Sequence, residues 1–153
     1  MKKLFTAAAL LISTLSFGQT TPDTITIASH KLAISPDCTV DGETKIRCEG
    51  YSLAWIYGDK QTVKGLQNAL LEMGGMLTNF KKKRVDFYLF DRKCKGYTVS
   101  YENATGTTYQ LSVSGVINNK PVWVLVDLNE EPVTDASLPE FIRQIIRFPE
   151  TRK

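Results

Sequence analysis

Apolar and polar residues alternate with a period of two along much of the second half of this 153-residue chain. Such alternation is typical of β-strands that bury one face. Four segments show it, with apolar residues at Val85, Phe87 and Leu89; at Tyr97, Val99 and Tyr101; at Tyr109, Leu111 and Val113; and at Val122, Val124, Val126 and Leu128. The pattern predicts a four-stranded antiparallel meander whose apolar residues share one face.

Two turns set the expected register of this meander. The first is a three-residue loop over 104–106 with Gly106 at the left-handed position, and the second is a two-residue Asn118-Asn119 turn. Both contain residue types that hairpins prefer at these positions. The resulting pairs are Tyr101 with Tyr109, Val99 with Leu111, Val113 with Val124, and Leu111 with Val126.

The reverse face of the meander is expected to be exposed to water over most of its width. Polar residues occupy most of its positions, and an indole ring borders it. We interpret this surface as a candidate binding face formed by Ser100, Gln110, Ser112 and Trp123.

Shorter strands are predicted ahead of the meander. Residues 25–34 alternate as two short strands or as one bulged strand. Residues 51–57 form an aromatic-rich strand that we assign to the core, with a stacking platform as the alternative. The buried parity changes between residues 46–48 and this strand, and a β-bulge at Gly50 is the simplest explanation.

Cys38 and Cys48 are predicted to form a disulfide across a hairpin. If they face each other, Val40 faces Ile46 and the loop covers residues 41–45. All four residues then share one face of the ladder, as the strand period requires. Two reduced, half-buried cysteines are the alternative.

The third cysteine, Cys94, lies between Lys93 and Lys95 in a predicted turn. Neighbouring cations lower the pKa of a thiol. A nucleophilic cysteine also needs a base, however, and nothing in the sequence connects Cys94 with the single histidine, His30. We therefore expect an incidental or intermolecular thiol.

A helix is predicted from about Lys60 to Asn79, with Asp59 as its N-cap. Gly74-Gly75 within it implies a kink or a close neighbour. Four cations, Lys81 to Arg84, come next; we interpret them as a solvated turn, with an anion site or a membrane-surface site as the alternative. The apolar stripe of this helix consists of Val63, Leu66, Leu70, Met73 and Leu77.

A second helix is predicted after Ser137, which forms a capping box with Glu140, and Pro149 ends it. The fold class is then α+β: an antiparallel sheet of about six strands with two amphipathic helices packed on one face. The order of a leading hairpin, a helix, a meander and a closing helix ending in Ile145-Ile146-Arg147-Phe148 resembles small exported domains of the Mog1/PsbP type. That resemblance implies the fold and gives no residue a role.

The first eighteen residues have the pattern of a secretory signal peptide. Lys2 and Lys3 precede an apolar run to Phe17, with small residues at a cleavage site near Gly18. This run is shorter than the roughly 20 residues that a membrane-spanning helix needs, so an anchor is the weaker interpretation. Residues 19–153 are expected to form a single α+β domain, located in the periplasm or outside the cell.

Composition argues against several function classes. Without Lys2 and Lys3, 17 basic residues face 16 acidic ones, a net charge of +1, and nucleic-acid binding is not indicated. One histidine and three cysteines are too few for a hydrolytic triad, a zinc site or haem ligation. No glycine-rich nucleotide loop is present. We therefore predict no enzymatic activity and no cofactor or metal site.

What remains is an exported, non-enzymatic binding or accessory domain whose partner the sequence does not specify. One alternative is a small apolar ligand in a pocket between helix and sheet, lined by Trp55, Tyr57, Tyr97 and Tyr101. A second is a carboxylate-dependent hydrolase that uses acids of the polar sheet face, namely Asp86, Glu102 and Asp127. A deep largest pocket lined by these aromatic residues would favour the ligand, and a flat surface would favour a protein partner. Carboxylates that do not approach within about 10 Å of each other across a cleft would exclude the hydrolase.

Overall fold

The computed structural model describes residues 23–149. The predicted signal peptide and its cleavage point near Gly18 lie outside this range. Among the described residues, no helix combines the length and the apolar character needed to cross a membrane.

Strands dominate the described part of the chain. In order, the elements are β1 (Thr24–Ile27), β2 (His30–Ala33), β3 (Thr39–Val40), β4 (Lys45–Cys48), β5 (Tyr51–Tyr57), α1 (Lys60–Gly74), β6 (Thr78–Leu89), β7 (Arg92–Asn103), β8 (Gly106–Ile117), β9 (Lys120–Leu128), a 3-10 turn (Asp135–Ser137), α2 (Glu140–Arg143) and β10 (Ile146–Arg147). Eight strands form one antiparallel sheet in the order β10-β6-β7-β8-β9-β5-β4-β3, and β1 pairs with β2 separately.

The α+β fold class predicted from the sequence is wrong. Strands make up 54% of the structure and helices 17%, so the protein is mainly β, with one curled eight-stranded sheet in place of about six strands. Of the two helices, α2 has only four residues. The arrangement of two amphipathic helices on one sheet face, and with it the Mog1/PsbP-like order of elements, therefore does not describe this fold.

The prediction of a long closing helix is wrong, because the second half of that segment forms a strand. After α2 the chain forms β10, whose Ile146 and Arg147 pair with Leu89 and Tyr88 of β6. The segment 145–148 combines two isoleucines with a phenylalanine, and β-branched and aromatic residues favour strands over helices. Ser137 does not cap α2; its hydroxyl accepts hydrogen bonds from the N–H groups of Val133 and Thr134, just ahead of the 3-10 turn.

Two-residue turns connect most of the strands. Asn118 and Asn119 have φ values of +48° and +62°, as such a turn requires, and the predicted pairs across β8 and β9 are confirmed. Gly50, with φ +81°, lies in the turn between β4 and β5 and not in a bulge. Because the chain reverses at Gly50, Ile46 pairs with Leu53, which explains the change of parity.

The predicted register between β7 and β8 is wrong by one residue. Asn103 pairs with Gly106, so the turn has two residues instead of three. The Asn103 side-chain oxygen closes this turn, because it accepts hydrogen bonds from the Thr105 N–H (2.9 Å) and hydroxyl (2.7 Å). The observed pairs are Tyr97 with Ser112, Val99 with Gln110, and Tyr101 with Thr108.

A slip of one residue moves every side chain of a strand to the other face of the sheet. Tyr97, Val99 and Tyr101 therefore lie on the face of Gln110 and Ser112, which the sequence had suggested to be polar and wet. This exchange places aromatic and apolar side chains on the face that carries α1.

The two faces of the sheet are covered by different elements. One face holds the main core, which the β1–β2 hairpin and the C-terminal segment cover. The other face is covered by α1, which contacts β8 and β9. Core residues include Ile27, Ile46, Leu53, Trp55, Phe87, Leu111, Val124, Ile142 and Ile145. Burial of Leu53 and Trp55 confirms that β5 is a core strand.

The Cys38–Cys48 prediction agrees with the structure. The two sulfur atoms lie at disulfide-bonding distance, and Val40 pairs with Ile46. A bridge that closes so short a loop stabilises the fold by about 2–3 kcal/mol. Disulfides form in oxidising compartments, so the pair is consistent with an extracytoplasmic protein.

Candidate functional site

Helix α1 is rotated relative to the orientation that its hydrophobic pattern predicts. Asp59 caps it as expected, since its carboxylate accepts a hydrogen bond of 2.7 Å from the Thr62 N–H. The residues that face the sheet, however, are Val63, Gln67, Leu71 and Gly74. Of the predicted apolar stripe, Leu66, Met73 and Leu77 are 42%, 64% and 45% exposed. The apolar flank of α1 is therefore left without a protein partner over much of its surface.

A buried polar cluster sets this rotation. The Gln67 side-chain nitrogen donates hydrogen bonds to the Ser112 carbonyl (3.0 Å) and hydroxyl (3.1 Å). The Gln67 side-chain oxygen accepts one from the Ser114 hydroxyl at 2.8 Å, and the Trp123 ring N–H donates to the Ser112 hydroxyl at 3.0 Å. An unpaired buried amide costs free energy, so Gln67 must face these partners. The helix is therefore oriented with its apolar stripe to one side of the contact with the sheet.

The stripe forms one wall of an open groove of about 520 Å³ beside α1. This volume lies within the range of small-molecule sites. Residues of β6, β7, β8 and β9 complete the lining. The groove is lined chiefly by Leu66, Leu70, Met73, Leu77, Phe80, Val99 and Trp123.

Polar groups in the groove are few, and most are already hydrogen-bonded. The Gln110 side-chain nitrogen donates to Asp127 at 2.8 Å, and the Trp123 N–H is bonded to Ser112. Tyr101 contributes a phenol, and partial burial raises the pKa of Tyr101, so its hydroxyl is protonated at neutral pH. The groove therefore offers an occupant mostly apolar contact.

Close packing at the end of α1 shapes the groove. The ring of Phe80 lies against Gly74, where even a single β-carbon would overlap its outer atoms. Gly74 is the last residue of the helix, and Gly75 is its C-cap. Of the two explanations predicted for the glycine pair, close approach of a neighbour is the one observed. The helix ends at residue 74, not at 79, and its end positions Phe80 in the groove wall.

The four residues of the predicted binding face are not brought together on one exposed surface. Ser112 and Trp123 are 0% and 3% exposed beneath α1, and Gln110 is 8% exposed. Ser100 pairs with Tyr109 on the opposite face. Two of the four, Gln110 and Trp123, line the groove.

The predicted aromatic pocket is divided by the sheet. Trp55 belongs to the main core, and the Tyr57 hydroxyl accepts a hydrogen bond from the Ala28 N–H at 2.8 Å. Tyr97 and Tyr101 lie on the α1 face, and Tyr101 lines the groove. Because β5 and β7 present these rings to opposite faces, the four do not share a cavity.

The acids proposed for a hydrolase are also separated. Asp86 forms an ion pair with Lys93 at 3.0 Å, and this lysine holds the pKa of the Asp86 carboxyl below its usual value. Asp127 lies three strands away and accepts hydrogen bonds from Gln110 and from Ser52 (3.3 Å). At about 4.8 Å per strand, those three spacings alone separate the two by about 14 Å. Glu102 pairs with Thr107 on the opposite face.

Cys94 lies within β7 and not in a turn. Its side chain packs beside Gly115 against the main core, whereas the alternating lysines on either side point to the other face. Burial raises the pKa of the Cys94 thiol, which is the reverse of the shift expected from its cationic neighbours. Asp37 lies close to the sulfur atoms of Cys38 and Cys48, a combination of residue types that can bind a metal ion. Both sulfur atoms, however, are used in the disulfide.

The run Lys81 to Arg84 is part of β6, so the expectation of a solvated turn is wrong. Strand alternation sends Lys82 and Arg84 to the α1 face and Lys81 and Lys83 to the other. Along this stretch no described strand pairs with the outer edge of β6, because β10 reaches only Tyr88 and Leu89. Lysines on a free strand edge hinder pairing with other chains.

Gln67 is the residue of this site that sequence reasoning missed. It occurs at helical spacing between Val63 and Leu71, and this second stripe of α1 also ends in Gly74. The sequence did contain a signal for this site: a second stripe of α1 that combines a polar residue with a glycine. No protein-family model matches this chain, and no curated protein matches it in sequence.

Proposed function

We propose that this protein is an exported, non-enzymatic binding protein whose site is the groove beside α1 and whose occupant is a small apolar ligand. The observation that carries the proposal is the rotation of α1, which presents an apolar stripe to an open groove instead of to the sheet. Exposed apolar surface of this kind on one wall of a cavity is typical of binding sites.

The shape and chemistry of the groove favour a small molecule over a protein partner. The groove is concave, with walls from α1 and from the strands, and its volume of about 520 Å³ suits a compact ligand. Its amide and indole donors, Gln110 and Trp123, are bonded within the protein. An occupant would therefore gain mainly from burial of apolar surface, at about 25 cal/mol per Å².

The exported location rests on two features. The first eighteen residues have the basic and apolar regions of a signal peptide. The disulfide pair Cys38–Cys48 suits an oxidising compartment, where a carrier of apolar molecules would meet ligands outside the cytoplasm.

A fluorescence titration with N-phenyl-1-naphthylamine tests the proposed site. This apolar probe becomes brighter when it leaves water, and we expect saturable binding to the wild-type protein. Leu66→Asp and Met73→Asp place a charge in the groove wall and should each weaken binding at least tenfold, because an apolar ligand in the groove would cover the carboxylate and remove it from water without a partner.

Val133→Asp is the matched control. Val133 is 67% exposed and lies outside the groove, so the same change there should alter probe affinity less than twofold. Unchanged circular dichroism would show that all three variants keep the fold. Equal losses for Val133→Asp and Leu66→Asp, or a signal that never saturates, would contradict a ligand site in the groove.

A further inference from the structure

The opposite flank of α1 borders a second cavity, of about 290 Å³. We call it the cationic pocket, because four basic side chains line it: Lys60 and Lys64 from α1, Arg84 from β6 and Lys95 from β7. Polar and apolar residues of the helix and the sheet complete the walls. Positive charge from three separate elements thus converges on one small cavity.

One acidic residue offsets only part of this charge: Asp86 lies opposite Lys95 on the same face, and the charges of Lys95 and Arg84 contribute to the lowering of its pKa after the contact with Lys93. None of the four cations forms an ion pair within residues 23–149, and the residues that line the cavity include no carboxylate. On the same face of β6, Asp86 is engaged by Lys93 at 3.0 Å. Asp59, which precedes Lys60, is engaged in capping α1. The pocket therefore carries a concentrated positive potential.

The register of the sheet selects which cations reach the pocket. Arg84 pairs with Tyr97, and Lys95 pairs with Asp86, so both cations belong to the α1 face. Lys83, the neighbour of Arg84 in the sequence, pairs with Thr98 and faces the other way. The basic run is thus divided by strand alternation into two sets with different surroundings.

We propose that the cationic pocket binds the phosphate group of a small phosphate monoester. A phosphate monoester carries close to two negative charges and three acceptor oxygens, and several cations around one cavity match it better than they match a single carboxylate. The guanidinium of Arg84 provides a planar pair of donors, and the lysines provide mobile charges. Val63, Tyr97 and Pro121 form an apolar wall for the organic part of the ligand.

This pocket is independent of the apolar groove. The two cavities share no lining residue, and the Gln67–Ser114 contact belongs to the wall of the cationic pocket. Loss of binding at one site therefore leaves the other proposal standing, and the two proposals can fail separately.

Isothermal titration with phenyl phosphate, at fixed low ionic strength, tests the phosphate site. Arg84→Gln and Lys95→Gln each remove one charge from the pocket and should weaken binding about tenfold or more, as loss of a charge-assisted contact does. Lys83→Gln and Lys81→Gln remove the same charge from the other face of β6 and should change the affinity less than twofold. Equal losses in all four variants would show a diffuse charge effect and would overturn the proposal.

Three further probes identify the chemical source of the phosphate. Phenol should not bind, because it lacks the charge, and inorganic phosphate should bind more weakly than phenyl phosphate, because it lacks the ring. Vesicles containing phosphatidic acid test whether the ligand is a lipid headgroup. Binding to them that depends on Arg84 would show that the pocket recognises a membrane phosphate, and no such binding would show that it recognises a free phosphate monoester. Saturable binding of none of these phosphates would refute the site.

Discussion

The side-chain nitrogen of Gln67 lies 3.0 Å from the carbonyl oxygen of Ser112, and this contact joins the centre of α1 to the centre of β8. Both residues are buried, at 4% and 0% exposure. The hydrogen bond therefore determines which side of the helix faces the sheet. Its position explains why an apolar flank and a cationic flank are both left open to ligands.

Replacing Gln67 should destabilise the protein and loosen the orientation of α1. We expect Gln67→Ala to lower the free energy of unfolding by about 1–3 kcal/mol, since it leaves the buried Ser112 and Ser114 groups with fewer partners. Urea denaturation measures this change. Gln61→Ala removes the same side chain from an exposed position of α1 and should cost less than about 0.5 kcal/mol. A similar loss in both variants would contradict the role of Gln67.

Gly74→Ala should change the groove more than the stability of the fold. The added methyl group meets the outer atoms of the Phe80 ring, which can move, and a displaced ring alters the wall of the groove. We expect a several-fold loss of N-phenyl-1-naphthylamine affinity. The gain in helix propensity, at most about 1 kcal/mol because Gly74 is the last residue of the helix, should offset part of the packing cost.

Gly65→Ala is the control for that change, because a methyl group at this position of α1 meets open space. It should raise the free energy of unfolding by about 0.5–1 kcal/mol and leave probe affinity unchanged. Identical effects of the two substitutions on probe affinity would show that Phe80 does not shape the groove.

Reduction of the disulfide should lower stability without abolishing the fold. The double variant Cys38→Ser, Cys48→Ser should lose about 2–3 kcal/mol of unfolding free energy, as expected for a short closed loop. Dithiothreitol should produce the same shift in the wild-type urea curve and no further shift in the variant. Cys94→Ser, which leaves the bridge intact, should keep the sensitivity to dithiothreitol.

The thiol of Cys94 should react slowly. Burial raises the pKa of Cys94, so at any pH below that value the folded protein has a smaller thiolate fraction than the unfolded chain. The rate of reaction with 5,5′-dithiobis(2-nitrobenzoate) should rise with pH along a curve displaced to higher pH than that of the urea-unfolded protein. A folded protein that reacts faster than the unfolded one at pH 7 would contradict this assignment.

The sequence predicted the local hairpins better than the way they fit together. Asn118-Asn119 was sufficient to place β8 beside β9, because two residues that tolerate positive φ fix the turn. At the preceding turn, Asn103 forms side-chain hydrogen bonds that shorten the loop by one residue. Apolar residues at alternate positions of β7 are compatible with either face, so the alternation itself could not detect the slip.

The candidate site was not predictable because it depends on that slip and on Gln67. Periodicity identified the apolar stripe of α1 correctly as a stripe, but it assumed that the stripe would be buried. The polar partners that turn the helix, Ser112 and Ser114, lie more than forty residues away in the chain. Contacts between residues so far apart in the chain produce no local sequence pattern from which the orientation of the helix could be predicted.

Methyl-detected NMR of the protein during titration with N-phenyl-1-naphthylamine tests the ligand site most directly. We expect saturable shifts for the methyl groups of Leu66, Leu70 and Met73, which line the groove, and little change for Leu53 and Leu111, which lie in the core on the other face. Shifts confined to the core methyl groups, or no saturable shifts at the three groove residues, would contradict the proposal that the rotated helix forms a binding site.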